Sequence, residues 1–145
     1  MSIPAKDLST EAPRSPYARI DGYVILARAI DKCRSDLAGT VGEYHTNCPL
    51  DRHLFDWKGT DYDAFRALIA SGADDAAVAK FVTETGVQKS AADIAEWSAK
   101  EEGLLPYNNP DGRDWFIGVC EPLGIDPKTS TLFEFLDEDD KQSFA

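Results

Sequence analysis

The sequence predicts an all-α protein: one compact domain, residues 1–145, of six or seven short helices, with a loose arm at 1–12, an ordered proline-stiffened N-terminal arm after it and an ordered loop around 38–48. Three observations lead there. Apolar residues recur at spacings of three and four along most of the chain rather than in strict alternation, which is the helical period. Side chains that can cap a helix stand repeatedly just ahead of those stripes, and glycines just behind them. No internal repeat or low-complexity linker divides the chain, and 145 residues are enough for one domain with a real core.

Taken in order, Pro13 and Pro16 fix an extended or turned entry that carries Arg14 and Arg19 on a non-helical segment, Arg14 held stiffly between the prolines. A helix is expected from about Tyr23 to Leu37, with Tyr23, Leu26, Ile30, Cys33 and Leu37 on one stripe. Asp31 and Arg34 border that stripe, and Lys32 is expected to face solvent. Pro49, suited to the first helical position, opens a short helix reaching about Trp57. Thr60 or Asp61 caps a helix carrying Phe65, Leu68 and Ile69, stopped by Gly72. Asp74 caps the next, with Val78, Phe81 and Val82 on one face and Gly86 at its end. Ser90 with Asp93 is a capping box for a helix turning Ile94 and Trp97 inward. Asn109-Pro110 is read as the start of a helix with Trp115, Phe116, Val119, Cys120 and Leu123, stopped by Gly124. Thr131 with Glu134 opens the last helix, which is expected to fray into solvent at Asp137 to Asp140, where four acids oppose the helix dipole. Trp57, Trp97 and Trp115 are expected in the core.

Charge narrows the function. A net charge of −11 repels phosphate, so neither nucleic acid nor an anionic membrane surface is an expected partner. No apolar run is long enough to span a bilayer, and no secretory signal is visible. Three cysteines, an odd number with no CxxC spacing, are expected as free thiols in a reducing cytoplasm. The acids dominate after residue 60, whereas Arg14, Arg19, Arg28, Lys32 and Arg34 lie close together before it. A locally cationic region in an acidic protein attracts a small anion.

The reactive side chains concentrate between Gly42 and Cys48, in the segment GEYHTNC. His45 is the natural acid/base candidate, because an imidazole titrates near neutrality. Tyr44 can donate to a developing oxyanion, and Asp31 can act as a base or orient His45. Arg14, Arg19 and Arg34 are candidates to hold a carboxylate or phosphate, with Tyr23 and Asn47 as further substrate contacts. Cys48, just before a helix, can be a nucleophile or a small cap-adjacent residue. For a metal, His45, His53, Glu43, Asp51 and Asp56 offer donors, but their spacing fits no established ligand pattern, so no metal is expected. No glycine-rich phosphate fingerprint is present, and no cofactor is expected.

The runs Pro13-Arg14-Ser15-Pro16, Arg19, Gly22 to Arg28, Asp31-Lys32, Gly42-Glu43-Tyr44-His45 and Asn47 to Asp51 together resemble a bacterial family of small proteins known only as a domain of unknown function. The resemblance covers most of the chain, including Ala95-Glu96-Trp97-Ser98. It implies a shared fold and supplies no reaction. Two functions compete: a small cofactor-independent enzyme moving a proton on an anionic metabolite (elimination, isomerisation or hydrolysis), and a non-catalytic helical module that binds a protein partner or a small effector.

Overall fold

The computed structural model describes residues 3–145, and among these no strand forms; a lone bridge joins Ile20 and Tyr23. Seven α-helices follow one another: α1 (Leu26–Leu37), α2 (Pro49–Lys58), α3 (Tyr62–Ala70), α4 (Asp75–Glu84), α5 (Ala91–Glu102), α6 (Arg113–Cys120) and α7 (Leu132–Ser143). The caps are the anticipated ones. Asp61, Asp74, Ser90 and Thr131 each accept an amide from the first turn of their helix, the last two in complete capping boxes.

The architecture is arranged around α1, which packs on α2, α3 and α4. The main core gathers Tyr23 to Leu26, Ala29, Ile30 and Cys33 with Leu54, Phe55, Phe65, Val78, Val82, Ile94, Trp97 and Phe133. A second, smaller core joins Phe116, Cys120 and Phe135. No described helix is long and apolar enough to cross a membrane.

The structure departs from the expected elements in five places, and Leu37, expected on the apolar stripe, is exposed. First, α1 starts at Leu26, not Tyr23. Tyr23 to Ile25 form a buried turn: the Ile25 amide donates to Pro16 O at 2.9 Å, and Ser98 Oγ donates to Gly22 O at 2.6 Å while accepting the Val24 amide at 3.2 Å. Ile25 holds φ at 73°, which is unusual for a β-branched side chain and stores about 1–3 kcal/mol of strain. Second, the arm is tied down over its described part. Leu8 is buried and donates its amide to Thr40 O, and Ser35 and Thr40 hydroxyls both donate to Lys6 O. Third, α6 starts at Arg113, because Asn109 to Gly112 close a turn with the Asp111 amide on Asn109 Oδ1. Fourth, α7 runs through the four acids to Ser143, because Asp140 turns inward onto Arg28. Fifth, Trp115 is 54% exposed, whereas Trp97 is buried and Trp57 half-buried.

Candidate functional site

Charge on α1 is handled pair by pair. Arg28, Asp31, Lys32 and Arg34 point in different directions around α1, so each meets a different neighbour. Arg28 Nη1 lies 2.7 Å from Asp140 Oδ2 of α7, and the Tyr44 hydroxyl donates to Asp140 Oδ1 at 2.7 Å. The guanidinium also stands 5.5 Å from the Tyr44 ring centroid. Burial, then the hydrogen bond and charge of Asp140, hold the Tyr44 phenol well above its usual range, so it stays protonated.

Asp31 accepts the Arg14 amide at 2.8 Å and its guanidinium at 3.0 Å. Arg14 reaches on to Asp75 at 2.8 Å, and Arg34 closes the chain on Asp75 at 3.0 Å. Hydrogen bonding from Arg14 holds the Asp75 carboxyl below the ordinary value. Lys32, expected at the surface, is instead buried: its ammonium lies 2.9 Å from buried Asp51 and 3.3 Å from Cys48 Sγ. A side chain on the far side of the apolar stripe can still be buried when α2 covers that side.

The residues singled out from the sequence therefore fall into separate groups. Arg14, Asp31 and Arg34 share one ion network with Asp75, and Tyr44 belongs to another with Arg28 and Asp140. Arg19 pairs with Glu102 of α5. Tyr23 is in the core, its hydroxyl 3.1 Å from Thr83 Oγ1. Asn47 accepts from Arg52 Nη1 at 3.2 Å. His45 is exposed, and among the described residues no hydrogen bond or ion pair joins it to Asp31 or Tyr44. The possible metal donors are likewise dispersed: Asp51 faces Lys32, Asp56 faces Arg52 and His53 faces Glu101.

A cleft of about 460 Å³ opens beside Tyr44, lined by Leu8, Glu43, Asp139 and Phe144. It is acidic, and burial followed by the charge of Asp140 pushes the Asp139 carboxyl up. That polarity opposes an anionic ligand.

A different constellation stands between α2 and α5. His53 and Trp57 share one face of α2, four residues apart; Trp97 and Glu101 share one face of α5 at the same spacing. The two faces meet. His53 Nδ1 is 2.8 Å from Glu101 Oε2, and the indoles of Trp57 and Trp97 stack with centroids 4.8 Å apart, 13° from parallel. Lys89 Nζ caps the Trp57 ring at 4.7 Å. An open depression of about 600 Å³ is bounded by Pro49, Arg52, His53, Asp56, Trp57, Trp97 and Glu101. The Glu101 hydrogen bond raises the His53 imidazole above its ordinary value, partly offset by burial. Arg52 is paired with Asp56 on the exposed side of α2, a contact worth little in water and open to exchange.

This constellation was missed because it is long-range: Glu101 lies 48 residues from His53. The available signal was the matched spacing of His53 with Trp57 and of Trp97 with Glu101.

The fold and this site together define a small all-α protein with an oriented imidazole–carboxylate pair at a tryptophan-walled depression. The chain belongs to the family described as domain of unknown function DUF5069, whose model matches residues 10–142. No curated protein matches it.

Proposed function

We propose that the protein is a small cytoplasmic enzyme that moves a proton on an anionic organic metabolite, with the reaction centred on His53. The observation that carries this reading is the 2.8 Å His53–Glu101 pair opening onto a depression beside Arg52 and the tryptophan wall. Glu101 takes the orienting role: bound at Nδ1, it turns Nε2 outward as the acid/base nitrogen. Arg52 exchanges its exposed Asp56 contact for the substrate carboxylate or phosphate. The indoles supply a flat apolar wall for the carbon skeleton. The chemistry is elimination, isomerisation or hydrolysis, and it needs no redox cofactor, nucleic acid or membrane.

Arg14, Arg34 and Tyr44 take structural roles in this reading, because carboxylates of the chain itself already occupy their donors. The alternative is a non-catalytic module, favoured by how open the depression is: a wide, shallow site also suits a side chain of a partner protein.

The test is turnover in a mixture of small carboxylates and phosphate esters followed by NMR. Wild type and His45→Gln are expected to convert the same compound, and His53→Gln to lose at least a hundredfold in rate. Equal turnover by His53→Gln, or loss with His45→Gln alone, overturns the assignment. Binding of a compound at the depression without any turnover favours the module.

A further inference from the structure

Three groups near the start of α2 form a unit that the proposed reaction does not use. Cys48 is the N-cap residue of α2 and is half-buried, whereas Cys33 and Cys120 are fully buried. Its Sγ lies 3.3 Å from Lys32 Nζ, and that ammonium lies 2.9 Å from Asp51 Oδ1. The Lys32 and Asp51 side chains are 4% and 2% exposed. An amine held against a reachable sulfur, with a carboxylate on its other side, is an arrangement for trapping an oxidised thiol. We infer that Cys48 and Lys32 form a reversible peroxide-responsive crosslink, a sulfur–nitrogen bond between the two side chains.

The steps balance with a hydroperoxide as oxidant. A peroxide oxygen transfers to Cys48 Sγ: the O–O bond breaks, an S–O bond forms, sulfur loses two electrons, and with hydrogen peroxide the other oxygen leaves as water. The product is a sulfenic acid, the first and reversible step of cysteine oxidation, and such an acid condenses with a nearby nitrogen. Lys32 passes one ammonium proton to Asp51 and becomes a neutral amine. Its nitrogen attacks Sγ, the S–N bond forms as the S–O bond breaks, and the departing hydroxide recovers the proton from Asp51 and leaves as water. The nitrogen sheds one further proton to solvent. An added thiol reverses the link by attacking sulfur, which gives a mixed disulfide and the free amine, and a second thiol restores Cys48.

The link has a structural consequence. It replaces the Lys32 ammonium by an uncharged nitrogen, which leaves Asp51 buried without its counter-charge. Breaking a buried pair on one side is strongly unfavourable, so oxidation weakens the seating of α2 on α1.

The experiment treats the full chain with hydrogen peroxide and follows it by intact-mass and peptide mass spectrometry. The expected product is two hydrogens lighter than the reduced chain, joins the peptides carrying Lys32 and Cys48, and disappears on adding dithiothreitol. Cys48→Ser is expected to give none of it. Lys32→Arg, which keeps the charge beside Asp51, is expected to accumulate sulfenic acid that dimedone labels at Cys48. Wild-type protein that instead shows dimedone-labelled Cys48 without the linked peptides, a disulfide between two copies through Cys48, or no oxidation of Cys48 overturns the inference. These readouts on the wild-type chain hold whether or not either variant folds.

Discussion

At the scale of single residues, the buried charges of α1 each meet an opposite charge. Asp140 answers Arg28, Asp51 answers Lys32, and Asp31 answers Arg14. Removing one partner leaves the other desolvated and alone, which is more costly than never having buried the pair. Asp140→Ala is therefore expected to lower the unfolding free energy by roughly 3–5 kcal/mol in urea titration, because it strands Arg28 and frees the Tyr44 hydroxyl. Arg19→Ala, which breaks a more exposed pair with Glu102, is expected to cost less than about 1 kcal/mol.

Two of the shifted groups, His53 and Asp75, tie stability to pH with opposite signs. Glu101 raises the folded pKa of His53, so this pair supports the fold fully below about pH 6.5, the unfolded value, and the support fades as pH rises through the folded pKa. Arg14 depresses the folded pKa of Asp75, so that support is present above the unfolded value near 3.8 and is lost as pH falls through the folded one. Thermal unfolding across pH is expected to show Glu101→Gln removing the change on the neutral side while leaving the acid limb in place.

At the scale of elements, most of the helices were legible because their signals are local. Capping boxes at Ser90 and Thr131 act within three residues, and the apolar period acts within a few turns. The start of α1 and the end of α7 were misjudged because a distant group decides each. Tyr23 to Ile25 carry a helical pattern, yet Ser98, more than seventy residues away, holds their backbone in a turn. The acids at the end of α7 read as a frayed tail because Arg28, 112 residues earlier, could not be paired with Asp140 from sequence alone.

Backbone meeting backbone sets a further test at this scale. A Cβ on Gly86 would lie 2.1 Å from Lys58 O, where the end of α2 meets the end of α4, and φ there is +71°. At Gly124 φ is +73°, with nothing within 4 Å. Gly124→Ala is expected to cost about 1–2 kcal/mol from the left-handed backbone alone. Gly86→Ala is expected to cost clearly more, in the same urea titration, because a carbonyl must also move. Equal losses would mean that the α2–α4 junction adjusts freely.

At the scale of the whole molecule, α1 and its buried charges organise the fold, while the proposed chemistry sits on the outer seam between α2 and α5. The sequence concentrates its reactive types before residue 51; of these, Arg14, Asp31, Lys32 and Arg34 are ion-paired within the chain and His45 lies at the surface. Residue type told which side chains could react; it could not tell which were already satisfied, since Arg14 meets Asp75 across 61 residues and His53 meets Glu101 across 48. The seam was legible only as two matched spacings of four.

The most direct test of that central assignment is an NMR pH titration of the two histidine rings, run with and without a small organic phosphate, in wild type and Glu101→Gln. The His53 ring is expected to titrate above the ordinary imidazole value, to fall toward it in Glu101→Gln, and to move further up with the anion bound beside Arg52. A His53 curve that ignores both the substitution and the anion, or an anion response confined to His45, would contradict the assignment.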